Sequence, residues 1–305
     1  MFSIADNNTF LVRGEENSSS LQYFYGKNDE SSQSFITETF PGLDMFAISP
    51  CGNFFAVTQE KEVSLYANDL TNKLYTVSAS RKVSFLYFLP TSDSEYRLVF
   101  AEVTGAIFLL SDRLPTNMRL ASDTEWTRSV QFPENVPIGF IGAHFRGVSD
   151  CCAYEDFFFS VDQDLMLKLV KMSEPHRILN LFRLDSRSPP LKCVIISHNC
   201  FCVATAEEIV FYGTENTAES RFDHETEEIM GLRSLSNSVQ VIITKQGLVH
   251  FNRESGVLQR IDIEGEVLYV ESKSNYVMIE NDGVKSIHRL TEAGVELVRD
   301  VIIPK

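Results

Sequence analysis

Short apolar runs recur along the whole chain, each cut off by a polar turn. None sustains the i, i+3, i+4, i+7 spacing of an amphipathic helix. The runs fall at 54–57, 63–66, 83–88, 98–101 and 106–110, then at 157–161, 166–170, 193–196, 201–204 and 209–212. The last lie at 239–244, 249–251, 267–270, 276–279 and 284–288. Between them stand turn formers: Ser49-Pro50-Cys51-Gly52, Thr104-Gly105, Gln246-Gly247, Glu254-Ser255-Gly256 and Asn281-Asp282-Gly283. Phenylalanine (23) and tyrosine (10), with many Val and Ile, favour a pleated surface, so the pattern predicts strands throughout.

The runs group into similar units of an apolar strand, a polar turn, a second strand, a short turn and a third strand. The middle strands are marked by Phe55, Val99, Phe158, Val203, Ile242 and Val277, which lie 44, 59, 45, 39 and 35 residues apart. A period near ~40 residues with several strands per repeat is the signature of a β-propeller. One blade cannot bury its faces alone, so a single domain over 1–305 is expected. The long gap holds an insertion at 112–137. The segment 10–40 has strand character as well, at 9–12 and 21–25, which brings the expected count to seven blades in an all-β propeller. Within it, 15–34 reads as a loop. The N-terminal strand is expected to complete the last blade. Phe54, Phe55, Phe157, Phe158 and Phe159 read as packing between sheets.

Charge narrows the partners. The formal net charge is −15, which repels phosphate backbones and anionic membranes. Apolar residues make up 44 %, the balance of a folded protein, and no stretch reaches the ~18 apolar residues of a membrane helix. The first thirty residues lack a signal-peptide core. Six unevenly placed cysteines suggest free thiols in a reducing compartment, cytosol or nucleus. No phosphate loop, nucleophile elbow, CxxC, HExxH or EF-hand pattern appears, so no catalytic residue, cofactor site or metal site is expected. His198, Cys200 and Cys202 would share one strand face, yet no fourth ligand stands at a recognisable spacing. The acidic run Asp223, Glu225, Glu227 and Glu228 reads as a solvated loop. Cys151-Cys152 reads as packing.

One unit is better formed than the rest. It runs Gly142-Ala143-His144, Gly147-Val148-Ser149-Asp150, the strand 157–160, then Asp162-Gln163-Asp164-Leu165. This is the order of a WD repeat, in which a His near the start of the blade meets an Asp in the turn between two strands. His144 and Asp164 are the expected structural pair. That leaves Asp162, Gln163 and Lys168 to face outwards. The unit at 46–57 reads as the first half of a second WD repeat.

Residues 43–185 resemble the WD-repeat, non-catalytic subunit of the tRNA (guanine-N7)-methyltransferase complex. The likeness rests on three segments: Ile48–Thr58, similar to the family's S-x-x-G-x-Y-F-A-L-T; Val77–Phe88, similar to V-A-R-R-x-x-A-L-x-F; and Ser160–Lys171 followed by Pro175-His176-Arg177-Ile178, similar to T-A-D-R-D-E-K-I-R-V-S followed by P-H-S-I. The family's Arg between the two Asp residues is Gln163 here. The resemblance implies a scaffold with no active site or cofactor of its own. It implies a heterodimer with the catalytic subunit, which holds S-adenosylmethionine and most of the tRNA contacts, and a nuclear location, with some protein in the cytoplasm. It also implies that the turn with Asp162, Gln163 and Lys168 meets that subunit. The alternative is a WD-repeat interaction scaffold of another complex.

Overall fold

The computed structural model describes residues 2–5, 10–13, 19–25, 34–67, 70–90, 95–110, 114–115, 138–154, 157–172, 177–197, 200–213, 218–224, 228–271 and 274–301. Every element among them is a strand. The chain divides into two compact units, one of residues 3–143 and one of residues 1–2 with 144–305.

Sheets one to three are built from the first unit, with Phe2 at the head of the first strand. Sheet one takes Phe2–Ile4, Phe10–Arg13, Ser20–Tyr25 and Ser34–Thr39 in that order. Sheet two takes Leu43–Ile48, Phe54–Gln59, Glu62–Ala67 and Lys73–Ser78. Sheet three takes Val83–Pro90, Glu95–Glu102, Ala106–Leu110 and Ile138–Ala143, with the short Leu114–Pro115 against Glu95 and Tyr96. The second unit supplies the rest. Sheet four is Val148–Tyr154, Phe157–Asp162, Met166–Lys171 and Arg177–Arg183. Sheet five is Lys192–Ser197, Cys200–Ala204, Glu208–Gly213 and Ala218–Asp223. Sheet six is Gly231–Ser234, Val239–Ile243, Gly247–Asn252 and Val257–Asp262. Sheet seven is Glu266–Val270, Tyr276–Asn281, Val284–Thr291 and Gly294–Val301.

The expected count of seven blades is corrected to six blades of the four-stranded form among the described residues. Six sheets are four-stranded meanders, and the third is five-stranded because the chain leaving Leu110 adds a short strand before it returns at Ile138. The N-terminal strand does not complete the last blade: Phe2–Ile4 pairs with Phe10–Arg13, and sheet seven draws all four of its strands from Glu266–Val301. The Ser3 hydroxyl accepts a hydrogen bond from Ile48 N at 3.1 Å, which ties this strand to sheet two. Ser20–Tyr25 is a strand paired with Ser34–Thr39, in keeping with the strand character of 21–25 and against a loop over the whole of 15–34. Of the insertion, only residues 114 and 115 lie among those described.

The middle strands are apolar at consecutive positions because both of their faces are dry. In sheet two Phe54 and Ala56 pack with Phe88 and Phe100 of sheet three, while Phe55 and Val57 pack with Leu11 and Leu21 of sheet one. In sheet five Phe201 and Val203 join Phe159 and Leu167 of sheet four, while Cys202 and Ala204 join Ile242 and Phe251 of sheet six. Val241 and Ile243 turn the other way, onto Val267, Val277 and Ile279 of sheet seven. Burial at this level supplies about 1.5–3 kcal/mol for each large apolar side chain. One glycine is required by close approach: Gly265, at φ 102°, brings the loop entering sheet seven so near that a Cβ would collide with the Glu280 carbonyl oxygen.

Candidate interaction site at the His144 loop

Sheet four places its polar residues by strand alternation. Ser160 and Asp162 are two positions apart on Phe157–Asp162, so both side chains leave the same face. His144, in the loop that enters the sheet, lies between them. Its Nδ1 is 2.9 Å from Asp162 Oδ2 and its Nε2 is 2.7 Å from Ser160 Oγ. All three residues are buried. Burial lowers the His144 pKa and outweighs the raising effect of the Asp162 carboxylate, and the nearby Lys168 charge lowers it further. The ring is therefore neutral at pH 7. Nδ1–H donates to Asp162, and the Ser160 hydroxyl donates to Nε2.

Asp162 also holds the turn. Its Oδ1 accepts hydrogen bonds from Asp164 N and Met166 N, both at 2.9 Å, while Leu165 N reaches Asp162 O at 3.3 Å. Leu165 sits at φ 66°, a conformation unfavourable for a leucine, between the two amides that the carboxylate fixes. The Leu165 carbonyl then accepts from Leu184 N at 2.6 Å, so the chain leaving sheet four is tied to the same turn.

These contacts correct the expected pair. The partner of His144 is Asp162, not Asp164. Both residues have the right parity, but the strand ends at Asp162, and Asp164 has turned out into solvent. There it meets Arg146 Nε at 3.4 Å, with both side chains exposed. Asp162 is fully buried, so it cannot itself face a partner as expected. Gln163 and Asp164 are exposed. Lys168 pairs across the sheet with Ser160 on one side and Leu181 on the other, and it is half-buried. Burial lowers its pKa, and the Asp162 charge opposes the shift. Phe145, absent from the sequence reading, is 93 % exposed. It stands between His144, anchored to Asp162, and Arg146, paired with Asp164.

Two further acids flank the turn between the second and third strands of their sheets, at positions no motif marks. Glu102 ends the second strand of sheet three. Its Oε1 accepts from Ser80 N at 2.7 Å, Ser80 Oγ at 2.8 Å and Arg81 N at 3.1 Å. Glu208 stands across the corresponding turn of sheet five. Its Oε1 accepts from Ser186 Oγ at 3.0 Å and Arg187 N at 2.7 Å, and its Oε2 lies near Arg187 and Arg221. Each acid thus grips the loop entering its own sheet. The readable signal was a Ser 22 residues before an acid at a strand–turn junction. Burial raises the Glu102 carboxyl, but hydrogen bonds from Ser80, Arg81 and Thr104 outweigh it and hold the pKa below the ordinary value.

His198 lies outside the described residues, as do residues 225–227 of the acidic run. Among the described residues, no group of three or more His, Cys, Asp or Glu is placed to hold a metal ion.

No family model matches the chain, and no curated protein matches it. Solved structures do. A chain from the crystal structure of a mitotic checkpoint complex superposes with a TM-score of 0.67 at 15 % identity, covering 96 % of this chain and 87 % of that one. The WD40 β-propeller domain of Doa1 gives 0.63 at 11 % identity, covering 95 % and 92 %. Sqt1 of Saccharomyces cerevisiae gives 0.65 at 11 % identity, covering 98 % and 83 %. The fold is that of an all-β, WD40-type propeller.

Proposed function

We propose that the chain is a non-catalytic protein-interaction scaffold, and that its partner is the catalytic subunit of a tRNA (guanine-N7)-methyltransferase. The observation that carries the reading is the turn 162–165. It lies in the segment that resembles the family's partner-facing turn, and a buried carboxylate holds it rigid. Preorganised surface costs little ordering on binding. Gln163, Asp164, Lys168 and Phe145 form the contact surface in this reading, and Asp162 positions them from beneath. An acidic chain of net charge −15 suits a basic, RNA-binding partner and leaves tRNA to it. Nuclear residence, with some cytoplasmic protein, accompanies this function.

The test is quantitative mass spectrometry of a native pull-down, together with tRNA m7G content after depletion. Recovery of the methyltransferase subunit and loss of m7G support the proposal. Recovery of a different stable assembly with m7G unchanged would leave only the general scaffold. The half-burial of Lys168 beside Asp162 governs the choice of variant. Lys168→Glu would set two acids together and disturb the sheet, so Lys168→Gln is the cleaner probe. It is expected to weaken the complex by about 2 kcal/mol if Lys168 meets a desolvated acid. Phe145→Ala is expected to weaken the complex at least tenfold with an unchanged melting temperature, because the ring makes almost no contact within the chain.

A further inference from the structure

Sheets four and five carry a feature that this function does not use. Cys152, on the first strand of sheet four, and Cys193, on the first strand of sheet five, bring their Sγ atoms within 3.7 Å. The strands are already fastened at that level. Asp150, two residues before Cys152 and on the same strand face, accepts a hydrogen bond from Cys193 N at 2.9 Å. Aromatic packing of Phe159 on Phe201 and of Phe201 on Tyr212 fixes the facing surfaces. A disulfide needs its sulfurs about 2.05 Å apart. The remaining gap is therefore under 2 Å, within the reach of side-chain rotation and a small backbone shift.

We propose that Cys152 and Cys193 form a disulfide when the protein meets a hydroperoxide, tying sheets four and five together. The thiolate of one cysteine attacks the peroxide oxygen, becomes a sulfenic acid and releases an alcohol, or water from hydrogen peroxide. The second sulfur then attacks the sulfenic sulfur, the S–S bond forms, and water leaves with the hydroxyl. Two thiols lose two electrons and the peroxide gains them. Both cysteines keep a trace of solvent contact, at 6 % and 4 %, whereas Cys151 and Cys202 have none. Burial also pushes the Cys202 thiol well above its ordinary value, which makes it the poorer nucleophile. The pair spans 41 residues, a loop long enough for the bond to stabilise the folded chain appreciably.

The test treats the purified full-length protein with hydrogen peroxide, then blocks free thiols and measures intact mass, non-reducing peptide maps and melting temperature. The expected result is two fewer blocked thiols than in the untreated protein, a loss of two mass units before blocking, a peptide joining Cys152 to Cys193, and a melting temperature several degrees higher that dithiothreitol returns to its starting value. Cys152→Ser and Cys193→Ala, each small enough to be accommodated, should abolish both the mass change and the shift. Gains of 16, 32 or 48 mass units at these residues without a cross-link, an unchanged mass, or a cross-link through Cys200 or Cys202 would overturn the proposal.

Discussion

Sheets four and five solve one problem with different chemistry. In each, the loop entering the sheet must be fixed to the turn between the second and third strands. Sheet four uses a neutral imidazole held between Asp162 and Ser160. Sheet five uses the Glu208 carboxylate directly on Ser186 Oγ and Arg187 N, and sheet three repeats that solution with Glu102 on Ser80 and Arg81. The position of the acid is what the fold demands. The residue it grips is free to vary, and only sheet four places an imidazole between its acid and a serine, whereas in sheet five His224 reaches the turn at Thr205 O. The acid's length follows its target: Asp suffices where His144 reaches inwards, while Glu is needed where a serine and a backbone amide stay back.

The comparison breaks first at the acids. Asp162→Ala strands His144 Nδ1–H and two turn amides, and should cost about 3 kcal/mol or more, read as a fall in the urea midpoint. Glu208→Ala strands the Arg187 amide and removes the carboxylate near Arg187 and Arg221, and should cost about 2 kcal/mol. If the two losses were equal, the imidazole would add nothing. An exchange of devices sharpens the point. His144→Ser alone should cost about 2 kcal/mol, and adding Asp162→Glu should restore about half of it, as a double-mutant cycle would show.

Acid separates the two designs further. The His144 pKa lies below the ordinary 6.5, so the unfolded chain takes up its proton first as the pH falls. Stability from this site is complete above pH 6.5 and declines below it, by up to ~1.4 kcal/mol per pH unit. His224, His250 and His288 are shifted the same way by burial, all in the same unit. The Glu102 clamp, with its pKa lowered, stays intact until the pH falls below the ordinary 4.5 of a glutamate. Urea midpoints between pH 7.5 and 5.5 should therefore fall in the wild type, and fall less steeply in His144→Ser. The smallest effect is expected at Asp164→Ala, within about 0.5 kcal/mol, because that carboxylate makes only an exposed ion pair.

How much of this was legible depended on what each residue answers to. Strands declared themselves because aromatic and β-branched runs were punctuated by turn formers, and all six marker residues lie in second strands. Nothing in Phe2–Ile4 says which sheet it joins, since any open edge would accept three such residues. Asp162 and Asp164 share parity and charge, and only the point where the strand ends distinguishes them. Glu102 and Glu208 bind a serine and backbone amides, partners that leave no motif in the sequence. Phe145 carries no pattern that marks it, and the anchored residues on either side of it hold it out in solvent.

The two-faced middle strands have a consequence for alignment. In a strand with one wet side, a slip by one residue drives polar groups inwards, and that penalty fixes the pairing. Cys200–Ala204 is buried at all five positions, so a one-residue slip would exchange apolar for apolar and hydrophobicity would barely oppose it. Alignment has to be set at the strand ends instead. Glu102, Asp162 and Glu208 are polar pins that fit one loop in one place: the first two end a second strand, and Glu208 opens the third strand across the turn.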